Sequence, residues 1–161
     1  QPLSVVIYNK KLDKWEQGAH AGTFRGNQLA MAAGTVVMNR VSKPEFLEEV
    51  VEKGKIIEER LLALKAKTKI IGDVRAKGLM IGTEFVNPKG QPDGLGSLPT
   101  SGEIAAKVQK ICFENGFVAE KGGRGGSVMR CLCALNITKD EINTAMDIFE
   151  KVVLQVAKDY E

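Results

Sequence analysis

The chain has 161 residues, of which 43% are apolar and 27% charged, and its formal net charge is +3. This composition is ordinary for one globular domain, or for one small domain plus part of another. The small and interspersed charge argues against a nucleic-acid partner. No apolar run is long enough to cross a bilayer and no signal peptide opens the chain, so we expect no membrane association.

The three cysteines, Cys112, Cys131 and Cys133, do not make a disulfide framework. An odd count without a signal peptide suits a reducing compartment and predicts a cytoplasmic protein. Cys131 and Cys133 would face the same side of a strand, but a zinc site needs further ligands and the only histidine, His20, lies far away in sequence. We therefore expect small buried apolar side chains and no metal site.

The first element in chain order is a short, β-branched apolar run from Leu3 to Tyr8. Such a run is typical of a strand that is buried on both faces of a sheet. Nothing nearby in the sequence offers this strand a parallel partner. Residues 1–42 are therefore predicted to be the edge of a larger domain.

A glycine-rich run from Gly18 to Gln28 then leads directly into an alanine-rich helix, predicted over about 27–40. Converging N–H groups in such a loop, together with the positive end of a helix, can bind a phosphate. Thr23, with Gly22 before it, can offer both a hydroxyl and an N–H to a phosphate oxygen. The alternative is a loop that caps the helix and binds nothing.

The remaining pattern predicts one long helix followed by an α+β unit, with strands on one side and helices on the other. Ser42–Glu45 reads as a capping box that opens a helix to about Lys67. The elements that follow are strands at 70–75 and 79–86, a loop over 87–100, a helix capped by Ser101 and closed by Asn115-Gly116, strands at 117–119 and 127–135, and a last helix opened by a second capping box, Thr138–Glu141.

Arg130 stands inside the apolar run of the last predicted strand. An arginine there must find an anion or reach water, because an unpaired buried charge is very unfavourable. Its planar guanidinium suits bidentate binding of a carboxylate. Arg75 and Arg124 are weaker candidates, since solvated or structural arginines are unremarkable at their positions.

The runs from Pro2 to Tyr8 and from Gly22 to Asn27 resemble the class III aminotransferases, pyridoxal-phosphate (PLP) enzymes of fold type I. Within that family the resemblance is to the diaminobutyrate–2-oxoglutarate aminotransferases. It implies that residues 1–42 are a remnant of the large cofactor-binding domain, 43–69 the long interdomain helix and 70–161 the small C-terminal domain. It also implies a homodimer in which Thr23 and Gly22 bind the PLP phosphate of the neighbouring subunit.

The resemblance further implies that Arg130 binds a carboxylate of the amino-acid or 2-oxo-acid substrate, although relatives continue with Pro-Pro-Leu where this chain has Cys133-Ala134-Leu135. The implied reaction moves an amino group between a diamino acid such as 2,4-diaminobutyrate and 2-oxoglutarate. The family places its Schiff-base lysine a few residues before the Pro-Leu-Ser, hence before Gln1. Since the other lysines are expected on exposed helical faces, we expect no catalytic residue in this chain and no activity from it alone. The alternative is a non-catalytic α+β module that binds an anionic ligand or a protein.

Overall fold

The computed structural model describes residues 1–161, and its contacts divide the chain into two compact units, Gln1–Leu47 and Glu48–Glu161. In the first unit, the predicted strand from Leu3 to Tyr8 is wrong: residues 1–9 have no regular structure and are exposed. Ile7, in the middle of that run, is 90% exposed. A strand forms only when its N–H and C=O groups find a partner, and this chain supplies none for it.

A 3-10 turn at Lys10–Leu12 precedes α1 (Gln28–Val41), which begins after Asn27 because the Asn27 side chain accepts a hydrogen bond from the Ala30 N–H at 3.0 Å. The helix ends at Ser42, whose N–H donates to the Met38 carbonyl at 3.1 Å. The predicted capping box at Ser42 is therefore wrong, because Ser42 closes α1 instead of opening α2 (Pro44–Lys65).

The second unit contains a four-stranded antiparallel sheet in the order β1-β2-β4-β3. Its strands are β1 (Ile71–Lys77), β2 (Met80–Phe85), β3 (Glu120–Gly122) and β4 (Val128–Leu132). Gly78 and Leu79 join β1 to β2 in a two-residue hairpin, and Gly78 takes a positive φ of 55°.

Helices cover one face of this sheet, as predicted for the α+β class. They are α2, α3 (Gly102–Glu114) and α4 (Lys139–Tyr160). The Thr138–Glu141 capping box that opens α4 is confirmed, with both reciprocal hydrogen bonds formed. The core consists of fully buried side chains from these helices and from the covered sheet face, among them Leu64, Phe85, Ile104, Val108, Ile142 and Val153.

The strand predicted at 117–119 is wrong, because the ladder begins three residues later, at Glu120. The residues just before Glu120 form the turn that ends α3. Gly116 takes a positive φ of 82°, and the Phe117 N–H then donates to the Cys112 carbonyl at 2.9 Å. The Ala119 carbonyl accepts from the Gln109 side chain at 2.9 Å. These bonds replace those that a strand would have made.

Two further contacts hold α2 in place within the second unit. Arg60 donates to Glu150 at 2.7 Å and to Asp147 at 2.5 Å, which joins α2 to α4. Gly54 lies against the β1–β2 hairpin so closely that a Cβ there would stand 2.3 Å from the Gly78 carbonyl oxygen. Only glycine permits this approach of a helix to another backbone.

Candidate functional site

The sheet face that carries no helix presents a row of four residues, one from each strand. Across this helix-free face, Arg75 of β1 pairs with Gly82 of β2, Gly82 with Arg130 of β4, and Arg130 with Glu120 of β3. Residues paired directly across antiparallel strands have side chains on the same face. The strand register therefore brings two guanidinium groups and one carboxylate into a single line, separated by a glycine.

Arg130 is one of the two cations of this row, and 42% of its side chain is exposed, compared with 55% for Arg75. The Arg130 guanidinium forms an ion pair with the Glu120 carboxylate. The guanidinium also lies over Gly122, where a Cβ would stand 3.1 Å from Nε and 3.2 Å from Cζ. The structure thus satisfies the requirement set by the sequence, because Arg130 both reaches water and finds an anion.

Arg75, at the other end of the row, is engaged by carboxylates of its own. It donates to Asp73 at 2.6 Å and to Glu84 at 2.9 Å, and hydrogen bonding to Glu84, then to Asp73, raises its pKa. Two carboxylates already neutralise this guanidinium, so it attracts a further anion only weakly. Arg124 lies exposed in a 3-10 turn at Arg124–Gly126, outside the row.

The opposite face of β4 lines an apolar cavity of about 70 Å³, bordered by Met129, Cys131, Cys133, Met146 and Phe149 among others. The Cys131 and Cys133 sulfurs lie 3.9 Å apart, on the same side as predicted. Burial, followed by the neighbouring Cys133, raises the pKa of Cys131 to about 11. A thiol with that pKa is neutral near pH 7 and is a poor nucleophile.

The second predicted site, at Thr23, belongs to the first unit. Thr23 lies in an exposed turn closed by a 3.1 Å bond from the Arg25 N–H to the Gly22 carbonyl. The Arg25 guanidinium folds back over this turn, donates to the His20 carbonyl and contacts the His20 Nδ1 at 3.0 Å. A Cβ at Gly22 would stand 2.8 Å from Arg25 Nε, so glycine leaves room for that guanidinium.

These groups are chemically suited to a phosphate. The Thr23 hydroxyl makes no hydrogen bond within the chain, and a guanidinium lies over the same turn. Phosphate oxygens accept hydrogen bonds from hydroxyl and N–H groups and pair well with arginine. The donor set present therefore fits the phosphate of PLP.

The expectation that every lysine lies on an exposed face is wrong at Lys53. Lys53 is only 3% exposed, and its ammonium is 2.6 Å from the Glu49 carboxylate one helical turn away on α2. Its aliphatic stem is buried while its charge is paired, so a structural role accounts for it.

Comparison with known proteins settles the family. The model of the class III aminotransferases matches residues 1–153. The chain belongs to the class III aminotransferases. Members of this class depend on PLP.

Two similar proteins are diaminobutyrate–2-oxoglutarate aminotransferases. The one from Rhizobium meliloti is 47% identical over 88% of this chain, and the one from Haemophilus influenzae is 38% identical over 98%. The chain spans only 30% and 35% of these relatives' lengths.

Solved structures of the same class share the fold. A transaminase from a Virgibacillus superposes with a TM-score of 0.74 at 19% identity, covering 94% of this chain and 34% of the other. The acetylornithine aminotransferase of Elizabethkingia anophelis gives a TM-score of 0.68 at 26% identity, covering 89% and 34%. No helix of this chain combines the length and the apolar character needed to cross a membrane.

Sequence reasoning found Arg130 but missed the residues that surround it. Glu120 was placed outside any strand, so its position opposite Arg130 was not visible. Gly82 and Gly122 lie beside Arg130 on this face, but the sequence predicts Gly82 as an ordinary strand residue and leaves Gly122 outside any strand. The available signal was the Glu-x-Gly spacing after Ala119, which has the period of two expected of a strand.

Proposed function

We propose that this chain forms part of an aminotransferase that moves an amino group between a diamino acid, such as 2,4-diaminobutyrate, and 2-oxoglutarate. The observation that carries the proposal is the exposed guanidinium of Arg130 on the helix-free face, with Gly82 and Gly122 beside it. The identity of 47% and 38% to diaminobutyrate–2-oxoglutarate aminotransferases supports this pair of substrates.

In this proposal Arg130 binds and orients a substrate carboxylate. A guanidinium offers two parallel N–H donors to the two oxygens of a carboxylate, which fixes direction as well as position. Holding the substrate in one orientation supplies part of the rate enhancement by itself. PLP, when bound, supplies the electron sink for the reaction.

Thr23 and Gly22 are proposed to hold the PLP phosphate. The Thr23 hydroxyl donates to a phosphate oxygen, and Arg25 adds a positive charge over the same turn. Following the family resemblance, we propose that this loop serves the neighbouring subunit of a homodimer and that the enzyme is cytoplasmic. We also propose that these 161 residues alone do not transaminate.

The test is the kinetics of Arg130→Lys and Arg130→Ala in the full-length natural protein loaded with PLP. Lysine keeps the charge without the planar fork, and alanine loses both, so kcat/KM for 2,4-diaminobutyrate and 2-oxoglutarate should fall in the order Arg, Lys, Ala. PLP affinity should not change. The matched control is Arg124→Ala, which removes an exposed arginine outside the row and should leave kcat/KM unaltered.

Two outcomes contradict the proposal. The first is a wild-type protein that forms no glutamate from 2-oxoglutarate and 2,4-diaminobutyrate. The second is an Arg130→Ala protein that melts earlier than the wild type yet keeps its kcat/KM. In the second case the ion pair with Glu120 has a structural role, and Arg130 does not bind substrate.

A further inference from the structure

Four sulfur-bearing side chains border the apolar cavity on the covered face of the sheet. Met129, Cys131 and Cys133 come from β4 and the residue that follows it, and Met146 comes from α4. Residues two apart in a strand share a face, so the first three form one row. The two methionines of this set are buried, and the two cysteines are half-buried. The row therefore leads from the interior to a partly accessible edge.

The two thiols already stand at the separation that a shared metal ion requires. Their sulfurs are 3.9 Å apart. At the ion–sulfur distance of about 2.3 Å that is typical of thiolate sites, two sulfurs of a trigonal or tetrahedral site lie about 3.8–4.0 Å apart. The ladder between β2 and β4 ends at Leu132, so Cys133 is free of strand pairing and can adjust. Both sulfurs can therefore hold one ion with little movement of the backbone.

The other residues around the cavity select the kind of ion. No histidine and no carboxylate borders it. Mg²⁺ and Ca²⁺ need oxygen ligands, and zinc sites combine cysteine with histidine or carboxylate, so the expectation that Cys131 and Cys133 hold no zinc stands. Thiolate and thioether sulfurs are soft ligands, and this combination favours Cu(I).

We propose that Cys131 and Cys133 bind one Cu(I) ion as thiolates, with the thioethers of Met129 and Met146 as neutral further ligands. Binding turns two thiols and one Cu(I) into a bis-thiolate complex and releases two protons to the solvent, with no change of oxidation state. Burial raises the pKa of Cys131 to about 11, so at pH 7 its proton is lost only when the ion displaces it. The site requires neither PLP nor transamination, and it is independent of the proposed function.

The experiment is a titration of the full-length natural protein with Cu(I), kept reduced by ascorbate without oxygen, in competition with a chromophoric Cu(I) chelator. The double variant Cys131→Ser/Cys133→Ser should bind one Cu(I) fewer per chain than the wild type. The control is Cys112→Ala, because Cys112 is fully buried in α3 and does not border the cavity. The control should bind as many ions as the wild type. An equal count in the double cysteine variant overturns the proposal.

Two further measurements test the ligand set and the choice of ion. The double variant Met129→Leu/Met146→Leu keeps similar apolar volume without the thioethers, and it should bind the ion at least about tenfold more weakly. Zn²⁺ in about a hundredfold excess should not displace Cu(I) from the wild type. Unchanged affinity in the methionine variant overturns the four-sulfur site, and displacement by Zn²⁺ overturns the assignment to Cu(I).

A measurement on the wild type alone covers the case in which the cysteine variants do not fold. One equivalent of Cu(I) should slow the labelling of Cys131 and Cys133 by N-ethylmaleimide, followed residue by residue by mass spectrometry. The labelling of Cys112 should not change, because it lies outside the site. Equal labelling of Cys131 and Cys133 with and without Cu(I) overturns the proposal.

Discussion

Replacing Gly54 by alanine tests whether the contact of α2 with the β1–β2 hairpin requires glycine. The new Cβ would stand 2.3 Å from the Gly78 carbonyl oxygen and 2.6 Å from its carbon. Overpacking costs up to about 3 kcal/mol, and the upper value applies because a backbone carbonyl cannot rotate away. Alanine regains about 1 kcal/mol of helix propensity. The net loss of unfolding free energy should therefore be about 2 kcal/mol.

Denaturant titration followed by circular dichroism measures this loss, and the melting temperature should fall by about 4–8 °C. Gly94→Ala is the matched control, because a Cβ at Gly94 meets no atom within 4 Å and Gly94 has no positive φ. The control should be neutral or slightly stabilising, since alanine restricts the unfolded chain. A Gly54→Ala protein as stable as the control would refute the reasoning, because the helix could then retreat from the hairpin at no cost.

Three further perturbations separate the roles assigned above. Thr23→Ala in the full-length protein should weaken PLP binding about ten- to a hundredfold by titration, since one charge-assisted hydrogen bond is lost, while Thr35→Ala should not. Arg60→Met should lower the unfolding free energy by about 1 kcal/mol, and less at high salt, whereas Lys110→Met should change it little. Hydrogen bonds from the Thr68 hydroxyl and the Lys69 N–H lower the Glu161 pKa from 4.5, so its stabilising effect is complete above that pH and is lost as the pH falls through the lowered pKa. Glu161→Gln should therefore destabilise at pH 7 and approach the wild type in acid, and a pH-independent difference would contradict this.

Elements whose signals are local were predictable from the sequence. The Thr138 capping box and the helical period after it locate α4 because both depend on neighbours within one or two turns. Elements that depend on a distant partner were not predictable. Leu3 to Tyr8 has the composition of a strand but lacks a neighbour to pair with. The Ser42 motif has the residues of a capping box, but Ser42 is already used to close α1.

The same distinction applies to the candidate site. Arg130 could be singled out from its residue type and surroundings, because a charge inside an apolar run always requires an explanation. Glu120 could not, since its pairing with Arg130 depends on where β3 begins. That start is set by the end of α3, at the Gly116 turn and the Gln109 side chain. An error of three residues in one strand was enough to hide the partner of the main candidate.

The helix-free face also affects how the sequence of such a protein can change during evolution. Its side chains at Arg75, Arg130 and Glu120 project away from the core that α2, α3 and α4 form on the other side. Mutations there can alter charge without opening a cavity or overpacking the interior, which are the usual causes of large losses in stability. If the proposed role of Arg130 is correct, substrate binding and the stability of the core depend on opposite faces of the same strands. Selection can change the charges on the helix-free face with little effect on the stability of the core. This separation would allow the same sheet to bind amino donors of different charge.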